Sequence, residues 1–201
     1  MELTLSHISK SFGGTAVLSD FSCVLRPDIT CLMAPSGAGK TTLLRILMGL
    51  EQPDSGCIEG LSALRLSAVF QEDRLLEQLN WRENLRFVLG SAFDEEDAQN
   101  LLCRLGLEPL DDSKPVSSYS GGMRRRLALT RALLVPFDLL LLDEPFTGLD
   151  AENRARAVDC VRALAAGKLV LLVTHEEADV QALSARVLRF QDCINSAHPS
   201  E

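Results

Sequence analysis

"DITCLMAPSGAGKTTLLRILMGL", residues 28–50, decides the fold. It reads as a short buried strand, a loop of small residues and a helix that stops near Gly49, with Pro53 soon after. Small residues let several backbone N–H groups curl round a phosphate, and the helix N-terminus adds its dipole. Lys40 is placed to reach terminal phosphates, and Thr41 to set a hydroxyl on Mg²⁺. Ala34, Pro35, Ser36, Gly37, Ala38, Gly39, Lys40, Thr41 and Thr42 are therefore the candidate nucleotide-binding residues. Loops of this kind carry glycine six positions before the lysine, where this chain has Ala34. Alanine costs about 1 kcal/mol there if the backbone needs positive φ, and little if it does not.

A phosphate loop needs an acidic partner, and "LLLLDEPF", residues 139–146, supplies one. A continuous apolar run that ends in polar residues reads as a buried parallel strand with function at its C-terminal end. The strand is expected to lie beside the phosphate loop. Asp143 then binds Mg²⁺ through water, and Glu144 polarises an attacking water. Consecutive strand residues point to opposite faces, so both serve one site only because the strand ends there. "KLVLLVTH", residues 168–175, is a second run of the same kind.

Composition bounds the rest. The chain has 201 residues, enough for one α/β domain with a core. Its formal net charge of −8 opposes general binding to nucleic-acid backbones. The six cysteines, at 23, 31, 57, 103, 160 and 193, show no zinc spacing and read as reduced core thiols. Met1–Ser6 reads as part of a strand, not as a leader. No segment approaches the roughly 20 apolar residues that span a bilayer. Any membrane role comes through a partner.

"ELTLSHISKSF" and "AVLSDFSCVL" read as strands joined by a glycine turn, and "CIEGLSALRLSAVFQ" returns to strand character. Between Glu72 and Ser118 the spacing turns helical. Asn80 with Glu83 resembles a capping box, and Asp94 is a second N-cap. Trp81 is expected to pack inside this insert. The reading is one domain, 1–201, with a core of 1–71 and 119–201 and a helical subdomain at 72–118.

"YSGGMRRRLALTRALL", residues 119–134, loads arginines onto the first turns of a largely apolar helix. At about 100° per residue, Arg124, Arg125 and Arg126 fan out and form no stripe. Cations in a first turn oppose the helix dipole, so an anion or acidic side chains are expected close by.

Together these residues resemble the ATP-binding subunits of ABC transporters. Beyond the loop at 34–42 and "LLLLDE", the likeness rests on "VFQED" with Gln71, "YSGGM" at 119–123, "TGLD" ending at Asp150 and "VTH" ending at His175. Phe12 falls near the family's adenine-stacking aromatic. The resemblance implies a P-loop NTPase (RecA-like) α/β core, with an N-terminal antiparallel β subdomain and an inserted α-helical subdomain. It implies ATP and Mg²⁺ as cofactors. Two copies, or a copy and a homologous ATPase subunit, would meet head to tail. ATP would lie between the phosphate loop of one and Ser120, Gly121 and Gly122 of the other. It further implies that Glu144 is the general base and that His175 contacts the γ-phosphate and the water. Gln71 would reach Mg²⁺, alongside Thr41 and Asp143, and Asp150 would couple the two sites. A membrane permease and a solute-binding protein are the implied partners, with no nucleic acid, at the cytoplasmic face of the cell membrane.

Two residues depart from the family pattern. Tyr119 replaces the usual leucine and Met123 the usual glutamine, so one amide contact is expected to be missing. "FQEDRLLEQLNWRENL" is similar to importers of the nitrate, sulfonate and taurine type. The alternatives are a soluble ABC-type ATPase acting on nucleic acid, ribosomes or cluster assembly, and a P-loop kinase of small metabolites. The first usually carries a second ATPase unit or a long coiled-coil insert, neither apparent in this sequence, and the second has no reason to hold "YSGGM".

Overall fold

The computed structural model describes residues 2–35, 37–107 and 110–194. Strands β1 (Leu3–Phe12) and β2 (Thr15–Leu25) form a hairpin. Gly13 and Gly14 turn it with φ of 55° and 82°, the double positive φ that tight hairpins require. β4 (Ser55–Glu59) pairs with the other edge of β1, giving an antiparallel sheet in the order β2-β1-β4.

The second sheet is parallel. It contains β3 (Ile29–Met33), β5 (Leu66–Val69), β6 (Leu139–Asp143), β7 (Leu169–Val173) and β8 (Arg186–Arg189), in the order β5-β6-β7-β3-β8. β7 stands between β6 and β3, the strand that leads into the phosphate loop, yet the end of β6 lines one cleft with that loop, as expected. A correction concerns residues 57–71, where a short 3₁₀ turn at Leu61–Ala63 splits the run into strands of two different sheets.

β6 is buried on both faces, and its leucines alternate between two cores. Leu139 and Leu141 face α1 (Lys40–Leu47) and the antiparallel sheet, with Leu43, Leu44 and Phe21. Leu140 and Leu142 face the other side. They join Leu129 of α4 (Gly121–Leu134) and Val158 and Val161 of α5 (Ala151–Leu164). Helices α6 (Glu177–Ala182) and α7 (Phe190–Ile194) complete the chain's described part.

Helices α2 (Trp81–Leu89) and α3 (Glu95–Arg104) build a third core with Tyr119 and with Leu127 of α4. Asn80 accepts from the Glu83 backbone N–H and Glu83 accepts from that of Asn80, both at 2.9 Å, a reciprocal cap. Asp94 caps α3 in one direction, its carboxylate accepting the Asp97 N–H at 2.9 Å. Trp81 is buried, and its indole N–H donates to Asp112 at 2.7 Å.

Among the described residues no helix is long and apolar enough to cross a membrane. Cys31, Cys160 and Cys193 are buried and Cys23 half-buried, but Cys57 and Cys103 are exposed, so the core reading of the cysteines holds only in part. Burial pushes the Cys23 thiol up to about 12 and the Cys31 thiol up to about 11, which keeps both protonated.

Candidate nucleotide site

The strand–loop–helix of residues 29–47 sets the first wall. Gly37 and Gly39 have φ of 79° and 93°. At Gly39 a Cβ would also stand 2.7 Å from the Val17 carbonyl oxygen, so this position admits only glycine. Ala34 does not have positive φ, and the alanine there carries no left-handed penalty. Ser36 lies outside the described residues. Lys40 opens α1, and its ammonium donates to the carbonyls of Ala34 at 2.7 Å and Pro35 at 2.9 Å. No side chain caps α1, which leaves its first N–H groups without a side-chain acceptor.

β6 sets the second wall. Its last residue, Asp143, is buried, and the next, Glu144, turns into the left-handed region with φ of 47°. That turn overcomes strand alternation and brings both carboxylates to one cleft, at a cost of about 1–2 kcal/mol. Glu144 N–H donates to the Val173 carbonyl at 2.8 Å, which pins the turn to β7. Burial, then the charge of Glu144, pushes the Asp143 carboxyl above its ordinary range. A cation in the cleft would reverse that shift.

The cleft, of about 330 Å³, is lined by Gly37, Gly39, Lys40, Thr41 and Thr42, by Gln71, and by Asp143 and Glu144. Val17 and Val173 add apolar wall. Thr41 hydroxyl, Gln71 amide oxygen and Asp143 carboxylate make an all-oxygen donor set, which suits Mg²⁺. A larger cavity of about 600 Å³ lies by β8, α6 and α7; it is lined by His175 and by Ala34 and Pro35 of the loop, which are not in the smaller cleft, and contains neither Asp143 nor Glu144. The chemistry points to the smaller one.

His175 follows β7 with its ring exposed. Its Nδ1 lies 2.8 Å from Glu144 Oε1, and its Nε2 lies 3.3 Å from Glu176 Oε1. The hydrogen bond with Glu144 and the charges of both glutamates raise the imidazole above its ordinary value.

Other sequence-selected residues stand elsewhere. Ser120, Gly121 and Gly122 are not in the cleft lining. Ser120 caps α4, its Oγ accepting the Met123 N–H at 3.2 Å. Asp150 caps α5, accepting from the backbone and side chain of Asn153, both at 2.8 Å. Phe12 is exposed on β1, with the Lys10 ammonium 5.2 Å from its ring centre, and does not line the cleft. Met123 packs against the third core beside Tyr119, so an apolar side chain is what that position holds.

The arginines of α4 find carbonyls more than acids. Arg125 donates to the carbonyls of Phe70, at 2.7 Å, and Gln71, with Asp73 Oδ1 3.3 Å away. Arg131 donates to those of Asp73 and Arg74 at 2.9 and 2.6 Å. Arg126 donates to Leu105 and Gly106 carbonyls and to Asn153. The segment that carries Gln71 is thus held by the helix that Ser120 heads. Sequence reading had the arginines but not their partners, which lie 20 to 27 residues away for Arg126 and more than fifty for Arg125 and Arg131. It also passed over Thr174, Asp179 and Arg154, which build up behind Glu144.

A phosphate loop, an oxygen donor set and a carboxylate bonded to a histidine are the features of a P-loop nucleotide site. The family described as ABC transporter matches residues 20–147. The aliphatic sulfonates import ATP-binding protein SsuB 1 of Rhodococcus jostii (strain RHA1) is 42% identical over 197 residues, covering 94% of this chain and 79% of that one. The probable sulfate/thiosulfate import ATP-binding protein CysA of Chlorella vulgaris is 35% identical, covering 96% of this chain and 88% of that one. A solved ATP-binding subunit of an ABC transporter superposes with a TM-score of 0.83 at 25% identity, covering 94% of this chain and 86% of that one. The chain belongs to the ABC transporter family. As a member it binds and hydrolyses ATP with Mg²⁺ and works as a dimer with a transmembrane permease.

Proposed function

We propose that the chain energises an importer of small sulfur oxyanions, sulfonate or sulfate, from the cytoplasmic face of the membrane. The named relatives support the solute class, and the permease and a solute-binding protein would choose within it. The observation that carries the enzymatic reading is the convergence of Lys40, Thr41, Gln71, Asp143 and Glu144 on one cleft, with His175 bonded to Glu144.

Lys40 leaves the carbonyls of Ala34 and Pro35 for the terminal phosphates, which are the stronger acceptors. The loop N–H groups and those opening α1 hold the remaining phosphate oxygens. Thr41, Asp143 and Gln71 would hold Mg²⁺, which neutralises charge on the transferred phosphoryl group. Glu144 takes the proton of the attacking water. His175 fixes the Glu144 carboxylate and faces the γ-phosphate. Phe12 presents an exposed ring, which we assign to adenine.

Ser120, Gly121 and Gly122 lie outside the cleft of their own chain, which supports their serving the cleft of a second copy. Asp150 would meet that copy. The helical region between 72 and 118 would serve as the subdomain that meets the permease. Phe87, 72% exposed, and Val88, 47% exposed, offer it an apolar contact there. The decisive experiment is Glu144→Gln: the variant is expected to bind ATP and dimerise without turnover. Undiminished phosphate release would remove Glu144 from its role.

A further inference from the structure

Glu144 is held from two sides. His175 takes Oε1, and Thr174 Oγ1 lies 3.2 Å from Oε2. The same hydroxyl lies 3.1 Å from Asp179 Oδ2 and accepts the Glu176 N–H at 3.1 Å. A threonine hydroxyl carries one proton. That proton serves Glu144 or Asp179 at any moment, not both. Thr174 is 1% exposed and Asp179 3%, so water does not stand in for the missing donor.

Asp179 has its own guard. Arg154 approaches Asp179 Oδ1 with Nε at 2.7 Å and Nη2 at 2.6 Å. Oδ2 is left facing Thr174. Arg154 lies in the first turn of α5, and its backbone N–H donates to the Asp150 carbonyl at 2.8 Å. A continuous line therefore runs from Asp150 through Arg154, Asp179 and Thr174 to Glu144.

We propose that Thr174 is a positioning residue for Glu144, that Asp179 competes for its hydroxyl proton, and that Arg154 makes the outcome depend on the helix headed by Asp150. The proposal rests on Glu144 being the base. With Arg154 in place, the Asp179 charge is compensated, and the Thr174 proton is left for Glu144. Both oxygens of the base are then fixed, with lone pairs remaining for water. If α5 draws Arg154 away, Asp179 keeps a buried charge and claims the Thr174 hydroxyl as its donor. Glu144 then turns about its contact with His175 alone. Engagement of Asp150 by a second copy would bias α5 toward the first arrangement.

The test compares Thr174→Val, Asp179→Asn and the double variant for ATP turnover, with ATP affinity measured separately by fluorescence titration. Thr174→Val is expected to lower kcat about ten-fold or more, with KM and affinity little changed, as for a lost hydrogen bond to a charged group. Asp179→Asn, which removes the competitor for the Thr174 proton, is expected to keep kcat near the parent value, and the double variant to match Thr174→Val. Thr174→Ser, which keeps the hydroxyl, is expected to retain turnover. Arg154→Lys is expected to lower kcat in the parent but not in Asp179→Asn. An unchanged kcat in Thr174→Val, a ten-fold loss in Asp179→Asn, or an effect confined to KM would overturn the proposal. Glu144→Gln separates the two levels. If it retains turnover, the base assignment fails. If it is inactive while Thr174→Val keeps its kcat, only the positioning line fails.

Discussion

Glu144 Oε1 and His175 Nδ1 are 2.8 Å apart, although the residues leave two different strands. The contact exists because Glu144 turns left-handed at the end of β6 and β7 lies directly beside it. Glu144 gains an orienting partner, and His175 gains a nearby negative charge that favours its protonated form.

The pH dependence of this pair has a definite sign. The folded-state value of His175 is raised, so the stabilisation from the pair is full below about 6.5, the ordinary histidine value, and fades as pH rises through the folded value. The exposed ring keeps the effect small. In Glu144→Gln the His175 titration is expected to move down toward the ordinary value. Proton NMR of the ring across pH 5 to 9 reads this, and an unmoved titration would disprove the coupling.

Gly39 and Ala34 are expected to respond oppositely. Gly39→Ala meets both positive φ and the Val17 carbonyl, and should abolish nucleotide binding at ordinary ATP concentrations. Ala34→Gly removes no needed freedom, so its cost should stay within about 1 kcal/mol, from added flexibility of the unfolded chain. ATP titration and thermal melts of the two variants check the contrast.

Arg125→Met should loosen the segment that carries Gln71. Two carbonyls lose their donor, with an expected destabilisation of about 1–3 kcal/mol. Hydrogen exchange should rise locally across residues 70–74 ahead of global unfolding, and turnover should fall. Exchange that rises evenly through the protein would mean a general packing defect instead.

Phe87→Ser removes an exposed ring from the surface of α2, so melting temperature and basal ATP hydrolysis of the isolated chain should barely change. Binding to the permease in detergent should weaken. Equal binding by both proteins would move the permease contact elsewhere.

Local chemistry was legible because it is written in consecutive residues. The loop at 34–42 follows a strand and opens a helix, and that order alone fixes a phosphate-binding turn. The caps at Asn80 and Asp94 were legible for the same reason, since each bond closes within three residues. Asp143, Glu144, Gln71 and His175 were selected by pattern, yet no pattern states which carboxylate oxygen meets which partner. Pairing across the sheet decided that β7 stands between β3 and β6. Packing gave Met123 an apolar setting beside the third core and turned the arginines of α4 toward distant carbonyls.

The sequence by itself determined the kind of site, because phosphate-loop geometry and strand-end carboxylates follow from short-range stereochemistry. Only the tertiary structure decided how Glu144 is held. Thr174, Asp179 and Arg154 meet through three elements brought together by folding, and a hydrogen bond across such a distance in sequence leaves no local trace.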